Sequence, residues 1–297
     1  MNSRKLLWVS IWSVAALPAS APRTSAGLPV RVSQPGDEPV VTCSDLNIHF
    51  EDRPAVMQSE ERTISKGEAP TLRIQAEATG GLQVLGSDKD SYSVTLCKAA
   101  DSGGNAEVLL SKIHLTFQNG ELGVFGPSSH DRWTAHLLVN APRAASLELQ
   151  VNNGPLSLLS VDGNVKVRAR NGPVTVKSCA GTLDLDAQNG PVSLDGNSGM
   201  QHVDAQNGPV TLSLKGTSWN GSGIVARANN GPLALHISSG YQSEVRVESD
   251  GHSPFACQAS VCSEGRKTWE DDRKSIEFGP GPTMIRLSTR NGPISIN

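Results

Sequence analysis

Residues 151–176 read VNNGPLSLLSVDGNVKVRARNGPVTV, and within this stretch the tripeptide Asn-Gly-Pro returns after 18 residues. Its glycine stands at positions 154, 172, 190 and 208, then at 231 after 23 residues and at 292 after 61. A fixed period of this length is typical of a solenoid, in which each repeat is one structural unit stacked on the next. The six copies are Asn153-Gly154-Pro155, Asn171-Gly172-Pro173, Asn189-Gly190-Pro191, Asn207-Gly208-Pro209, Asn230-Gly231-Pro232 and Asn291-Gly292-Pro293.

Apolar and polar residues alternate on both sides of each copy. The first and third residues after the proline are apolar, and small residues, mostly with hydroxyl groups, stand between them. An alternation of period two predicts strands with one buried face. Each 18-residue unit therefore predicts two short strands joined by an Asn-Gly-Pro corner. The apolar residues are Leu156, Val174, Val192, Val210, Leu233 and Ile294, followed by Leu158, Val176, Leu194, Leu212, Leu235 and Ile296.

Two architectures place two strands in 18 residues: an antiparallel meander, or a coil that stacks on itself. In a two-residue Asn-Gly hairpin, the residue after glycine donates its N–H to close the turn. Proline has no N–H, but it can begin a strand that leaves an open corner. The proline therefore favours the stacked coil over the meander.

The outward residues also favour stacking. In a parallel solenoid, residues 18 apart lie on neighbouring strands, about 4.8 Å from each other. Opposite charges then become neighbours at Glu148/Lys166, Lys166/Asp184 and Arg168/Asp186, as in-register pairing favours. We therefore predict an all-β protein, a parallel β-solenoid of stacked two-strand coils of 18 residues.

The same pattern begins before the first Asn-Gly-Pro copy. Residues 72–76, the pair Gly80-Gly81 and residues 82–84 repeat the order of strand, glycine corner and strand. We expect a β-solenoid domain over residues 66–297, with a short helix in 105–112. Residues 27–65 are rich in proline and charge, and we expect a loosely structured lead-in segment there. Further strands are expected at residues 92–96, 114–118, 122–125 and 133–139.

An insertion at residues 238–282 interrupts the repeat, and residues 283–297 then supply what we expect to be the last coil. The insertion contains Cys257, Cys262 and Trp269 beside a run of mixed charge. Such a segment can be a recognition loop. It can also be a stapled cap over the open end of the solenoid, where unpaired backbone invites aggregation, and we favour the cap.

The first residues predict export. A basic pair, Arg4 and Lys5, precedes the apolar run 6–17, and small residues permit cleavage after Ala21 or Ala26. Such a run is too short for a membrane-spanning helix, which needs about 20 residues, so we assign residues 1–26 as a signal peptide. The alternative is an uncleaved anchor. No later stretch reaches transmembrane length.

Charge restricts the classes of partner. The chain has 26 basic and 29 acidic residues, a net charge of −3. Removal of the signal peptide takes away Arg4, Lys5 and Arg23, which leaves 23 against 29, or −6. An acidic chain without a cluster of lysine and arginine lacks the stripe that neutralises phosphates. Nucleic acid is therefore excluded as a partner, and an anionic membrane surface is disfavoured.

The chain has five cysteines, and an oxidising compartment would pair four of them. We predict the disulfides Cys43–Cys97 and Cys257–Cys262. Cys179 stands where the preceding repeat has Val161, so we interpret it as a small buried apolar residue. The first cysteine lies well beyond the cleavage region, which argues against a lipid anchor at the new N-terminus.

One outer face carries acidic residues that deserve a chemical interpretation: Asp184, Asp186 and Asp204, with His202 beside them. Such a cluster can bind a cation or protonate a glycosidic oxygen. It can also be a solvated face with partly balanced charge, and we favour this because no tryptophan or tyrosine accompanies it. The sequence has no G-x-S-x-G, H-E-x-x-H, C-x-x-C or phosphate-binding glycine loop. We predict no catalytic residue, no metal site and no cofactor.

With its Asn-Gly-Pro coils, leading signal peptide and short N-terminal strands, the chain resembles the bacterial putative-adhesin domain of unknown function. This is the toastrack type of envelope β-solenoid. The resemblance covers residues 66–297 and implies a cell-envelope location, with no catalytic residues to carry over. The cysteine-bearing insertion departs from the simplest members.

We therefore predict a non-enzymatic extracytoplasmic protein, in the periplasm, secreted or at the cell surface, with an adhesin-like binding or scaffold role. Its partner would be an envelope or surface macromolecule, either a protein or a polysaccharide. The alternative is a carbohydrate-active enzyme, a lyase or glycosidase of the β-helix type. That enzyme would need a groove lined by convergent carboxylates and aromatic residues.

Overall fold

The computed structural model describes residues 30–33, 38–76, 80–128, 131–250 and 253–297. The predicted signal peptide, residues 1–26, lies outside the described residues. Within them the chain forms two long sheets that share one hydrophobic core. None of the described helices has the length and apolar character needed to cross a membrane.

The elements follow the predicted alternation closely. A single α-helix of the described part, α1, spans Ala106–Leu110, inside the range predicted for it, and short 3-10 helices span Cys43–Asp45 and Ser260–Ser263. The strands are β1 (Val30–Ser33), β2 (Asn47–Phe50), β3 (Arg53–Ser65), β4 (Thr71–Ala76), β5 (Leu82–Ser87), β6 (Ser91–Asp101), β7 (His114–Gln118), β8 (Glu121–Phe125), β9 (Trp133–Pro142), β10 (Ser146–Asn153), β11 (Leu156–Leu159), β12 (Asn164–Asn171), β13 (Val174–Lys177), β14 (Thr182–Asn189), β15 (Val192–Gly196), β16 (Ser198–Asn207), β17 (Val210–Leu214), β18 (Asn220–Asn230), β19 (Leu233–Ile237), β20 (Glu244–Asp250), β21 (Phe255–Cys257), β22 (Arg266–Trp269), β23 (Arg273–Phe278), β24 (Thr283–Asn291) and β25 (Ile294–Ile296).

Each coil contributes one strand to each sheet, and neighbouring coils pair in parallel. The first sheet has the strand order β1-β2-β3-β6-β9-β5-β11-β13-β15-β17-β19-β25-β21. The second has the order β22-β23-β20-β24-β18-β16-β14-β12-β10-β4-β8-β7. The predicted parallel β-solenoid is confirmed.

The predicted register is also confirmed. Val174 pairs with Val192, and Val192 pairs with Val210, on successive parallel strands. All three side chains are about 1% exposed. Residues one repeat apart therefore form a single column inside the core. This is the arrangement that lets coils too small to fold alone share a continuous apolar interior.

The Asn-Gly-Pro corners are held by a ladder of asparagine side chains. The amide of Asn171 donates to the Oδ1 of Asn153 at 2.9 Å, and Asn189 donates to Asn171 at 3.0 Å. Three further bonds of 3.0 to 3.1 Å continue the ladder through Asn207 and Asn230 to Asn291. The asparagine side chains therefore form one continuous hydrogen-bonded ladder from Asn153 to Asn291.

The backbone ladder also continues through the corners, although proline cannot donate. The N–H of Gly172 donates to the Asn189 carbonyl, and the N–H of Val174 donates to the Pro191 carbonyl, both at 2.9 Å. Proline therefore contributes its carbonyl to the ladder, and the glycine before it and the apolar residue after it supply the N–H donors. This explains why a proline is tolerated at every corner of a parallel sheet.

Both ends of the solenoid depart from sequence order. The coil β8/β9 follows β4/β5 in the chain but lies outside it, while β10 and β11 pair with the opposite side of β4 and β5. At the other end, β24 lies between β18 and β20, and β25 lies between β19 and β21. The expectation that residues 283–297 form the last coil is wrong, because strands of the insertion lie beyond them at the end of both sheets.

The insertion at residues 238–282 supplies the end of both sheets. Its strands β20 and β21 form a coil, and β23 and β22 follow in antiparallel order. The disulfide Cys257–Cys262 joins β21 to the 3-10 helix Ser260–Ser263. Trp269 packs edge-on against Phe255, with ring centroids 5.2 Å apart.

The described part of the lead-in segment is not loosely structured. The 13-residue strand β3 pairs with β6 along most of its length, and β2 and β1 continue the sheet in antiparallel order. The expectation failed because pairing with β6 satisfies the backbone of β3, whereas most of its polar side chains stay exposed.

The lead-in also covers the outer face of the first sheet. A second small core lies there, built from Leu46, Ile48 and Phe50 against Ala99 and Leu138. The disulfide Cys43–Cys97, with Cα atoms 5.3 Å apart, ties this cover to β6. The fifth cysteine, Cys179, is buried as predicted, and burial raises the pKa of its thiol to about 11.

The corner glycines generate a first prediction. Gly190 has a φ of 136°, and a Cβ there would lie 2.2 Å from the carbonyl oxygen of Gly172 in the neighbouring coil. We expect Gly190→Ala to lower the free energy of unfolding by on the order of 3 kcal/mol, through backbone strain and overpacking. Gly196→Ala, in the same coil, is the matched control, because a Cβ there meets no atom within 4 Å. Denaturant unfolding followed by circular dichroism measures both, and equal effects would contradict the stacked corner.

The asparagine ladder generates a second prediction. Asn189→Ala removes two ladder bonds, whereas Asn291→Ala at the end of the ladder removes one. At about 0.5–1.5 kcal/mol per hydrogen bond, the central substitution should cost about twice as much as the terminal one. The same unfolding measurement decides this. An Asn189→Ala variant no less stable than Asn291→Ala would contradict a stabilising contribution from each ladder bond.

Candidate functional site

A groove runs along the outer face of the second sheet, with a volume of about 730 Å³. We call it the polar groove. Two rows of outward side chains form its walls, and each coil from β10 to β18 adds one residue to each row. The first row is Gln150, Arg168, Asp186, Asp204 and Arg227, and the second is Asn152, Arg170, Gln188, Gln206 and Asn229.

The repeat explains why the groove is straight. Two outward residues of every coil flank one inward residue, and register keeps each kind in line from strand to strand. The inward residues Val151, Ala169 and Ala187 line the floor between the rows. With coils about 4.8 Å apart, five coils give each row a length of about 19 Å.

Arg168 and Asp186 are the informative pair in the first row. They are partners on neighbouring strands, yet within the described residues they make no ion pair with each other. The same is true of Glu148 and Lys166. Of the three predicted charge pairs, only Lys166–Asp184 forms an ion pair in the described structure, with 3.9 Å between Nζ and Oδ2. Exposed pairs of this kind contribute little to stability, and in the described structure Arg168 and Asp186 stand in the groove without an ion pair to each other.

The structure brings the four predicted ligand-face residues together. Asp184 pairs with His202, and Asp186 pairs with Asp204, on the adjacent strands β14 and β16. The Nε2 of His202 lies 2.9 Å from a carboxylate oxygen of Asp204. Only Asp186 and Asp204 line the groove. Among the described residues, no three histidine, cysteine, aspartate or glutamate side chains are grouped so that they could hold a metal ion.

The cap end of the same face is different, because its charges are paired. Arg246 lies 2.9 Å from Glu277, and Arg273 lies 2.9 Å from Glu248. A hydrogen bond from Arg266 lowers the pKa of Glu277. These cross-strand pairs tie the cap together, so the charges of the cap are paired within the sheet.

Sequence reasoning missed most of the polar groove. It selected carboxylates because they are the residues of acid–base chemistry, and it passed over the amides beside the corners. A signal was present, since the third residue before each proline is an amide or an arginine in all six copies. These residues are Asn152, Arg170, Gln188, Gln206, Asn229 and Arg290.

No protein-family model and no curated protein matches this chain. Several solved structures are similar to it. A putative cell adhesion protein from Clostridium sporogenes is 13% identical, with a TM-score of 0.34, and the match covers 81% of this chain and 99% of that one. A putative adhesin from Bacteroides fragilis is 10% identical, with a TM-score of 0.31 and coverage of 81% and 97%. A putative lipid binding protein from Parabacteroides distasonis is 12% identical, with a TM-score of 0.28 and coverage of 80% and 96%. The solved structures similar to this chain thus include putative adhesins.

Proposed function

We propose that the protein is a non-enzymatic, extracytoplasmic binding protein that holds an extended envelope polysaccharide along the polar groove. The observation that carries the proposal is the double row of hydrogen-bonding side chains, one residue per coil in each row. Two disulfides support an oxidising compartment, because such bonds persist outside the cytoplasm.

The length and repetition of the groove favour a polymer. A compact ligand would contact two or three coils, whereas similar donors and acceptors recur here over about 19 Å. A linear chain of similar units can present hydroxyl groups to successive coils. Arg168, Arg170 and Arg227 supply fixed forks of donors, and the amides supply both donors and acceptors.

The composition of the groove favours a glycan over a protein partner. Stable protein interfaces concentrate aromatic and apolar residues at their centre. The described lining of the polar groove has no aromatic residue, and its apolar residues lie on the floor. A hydroxyl-rich ligand matches walls of amide, guanidinium and carboxylate groups better than an apolar protein surface does.

The enzymatic alternative needs two carboxylates that act on one bond. Asp186 and Asp204 are neighbours, but Asp204 already contacts His202. The aromatic platform that this alternative requires is not among the described lining residues. Binding without turnover is therefore the better reading of the groove, and the experiment below includes turnover as an outcome.

The test is retention of the purified protein on insoluble envelope polysaccharide. Arg168→Ala combined with Arg170→Ala removes two unpaired donors from the walls, and we expect affinity to fall about tenfold or more, equivalent to about 1.4 kcal/mol. The matched control is Lys66→Ala combined with Lys89→Ala. It removes the same charge from exposed positions outside the polar groove and should leave binding within about twofold of wild type, a difference of about 0.4 kcal/mol.

Two outcomes would contradict the proposal. Equal loss in both double variants would mean that retention follows net charge and not the groove. Depolymerisation of the polysaccharide by wild type, abolished in Asp186→Asn or Asp204→Asn, would establish the enzyme instead.

A further inference from the structure

The second sheet is longer than the first at the end formed by the insertion. Strands β20 and β21 form the last complete coil, and β23 and β22 extend the second sheet by two strands beyond it. These two strands add about 10 Å to the sheet. Strand β22, Arg266–Trp269, is therefore the outermost described strand at this end, and all four of its residues are exposed.

The free edge of β22 presents backbone hydrogen-bonding groups. The N–H of Glu270 donates to the Arg273 carbonyl at 2.8 Å, which closes the hairpin between β22 and β23. Bonded and non-bonded pairs alternate along an antiparallel ladder, so every second residue of β22 bonds to β23. The residues between them, Lys267 and Trp269, point their N–H and C=O groups away from β23. Strand β22 has no second neighbour among the described strands.

The edge at the other end of the same sheet is protected. There the N–H of Leu115 on β7 donates to the Glu60 carboxylate of β3 at 3.1 Å. An unpaired strand edge is a template for pairing with another chain, and natural proteins cover or blunt such edges. The edge of β22 is thus the end of the second sheet at which a further strand can add.

The sequence of this edge is complementary to itself. When two copies of β22 pair antiparallel with Thr268 opposite Thr268, Lys267 of each copy lies opposite Trp269 of the other. Both outward residues of each strand then belong to hydrogen-bonded pairs. In the same register Arg266 of each copy lies opposite Glu270 of the other, so opposite charges become cross-strand neighbours. A shift of the register would bring the hairpin turn, residues 271–272, into the interface.

The side chains are free to make these contacts. Arg266 is 76% exposed although it pairs with Glu277, and its guanidinium has donors left for a second carboxylate. Glu270 is exposed and makes no ion pair with the described residues. On the other face of the strand, Trp269 is 50% exposed, and the ammonium of Lys267 from the second copy can pack on its ring.

We propose that the protein forms a symmetric dimer through β22, in which the second sheets of two copies join into one continuous sheet. Both copies use the same surface, as twofold symmetry requires. Each first sheet ends two strands earlier, so its edge is set back from the joint. An interface built on one short strand is small, and we expect a weak, reversible dimer.

The dimer does not depend on the proposed polysaccharide function, because β22 shares no residue with the polar groove. It would nevertheless affect that function. The twofold axis of an antiparallel strand pair is perpendicular to the sheet, so both polar grooves would lie on the same side of the joined sheet. A polymer that reaches both grooves would be held more tightly than by one groove alone.

Sedimentation velocity of the purified protein over about a hundredfold range of concentration measures the association. We expect the mass to rise from that of one chain toward that of two. Glu270→Arg places two arginines opposite each other and should weaken the dimer about tenfold or more, since like charges across an interface are costly. The matched control is Glu107→Arg, which makes the same charge change at an exposed position of α1 and should leave the association unchanged.

Two further variants separate strand pairing from folding, which circular dichroism verifies for each variant. Arg266→Glu should weaken the dimer as Glu270→Arg does. A mixture of these two variants should associate at about wild-type strength, because both charge pairs are then restored. Lys267→Pro removes an outward N–H that β23 does not use, so it should abolish the dimer without unfolding the chain.

Three outcomes would overturn the proposal. The first is a protein that stays monomeric over the whole range of concentration. The second is a dimer that Glu270→Arg and Lys267→Pro leave unchanged, since it would use another surface. The third is a mixture of the two folded charge variants that fails to associate.

Discussion

Backbone hydrogen bonding between coils one repeat apart is the constraint on which the rest of the structure depends. It holds neighbouring strands at about 4.8 Å, so every residue of a coil must tolerate a copy of itself directly above and below. At the corner this admits only glycine, since a Cβ on Gly172 would lie 2.1 Å from the Gly154 carbonyl oxygen. Asparagine suits the neighbouring position, because its amide can donate to one coil and accept from the next. The Asn-Gly-Pro spacing is thus a consequence of stacking.

The same constraint turns outward residues into rows, and this gives the molecule its candidate sites. A single outward arginine is ordinary, but in-register repetition places Arg168, Asp186 and Asp204 in one line. Because the coils stack in register, one outward position of the repeat becomes a row of side chains several coils long. Where a different chain segment interrupts the rows, as at the N-terminal cover, a second groove forms, and His136 is buried there.

The periodic part of the chain could be predicted from sequence, because in this part local pattern and tertiary contact carry the same information. The valine column of residues 174, 192 and 210 and the asparagine ladder both follow from counting by 18. The two ends of the solenoid could not be predicted in this way. Strand β3, for example, has an exposed, charged sequence, and it is extended because it pairs with β6. The grooves could be predicted only in part. The row from Asn152 to Arg290 is visible in the repeat, but the groove beside the N-terminal cover is lined by Val32 and Pro155, which belong to two segments that no period relates.

The exchange of coil order at the ends has a physical consequence for the grooves. Here the C-terminal strand β25 pairs with β19 on one side and β21 on the other, and Ile294 and Ile296 are buried. Strand β25 is therefore hydrogen-bonded on both flanks, and strands of the disulfide-stapled insertion take the outermost positions at this end of both sheets. The coil β4/β5 is enclosed in the same way at the other end. The central coils, which carry the polar groove, therefore lie away from both ends of the second sheet.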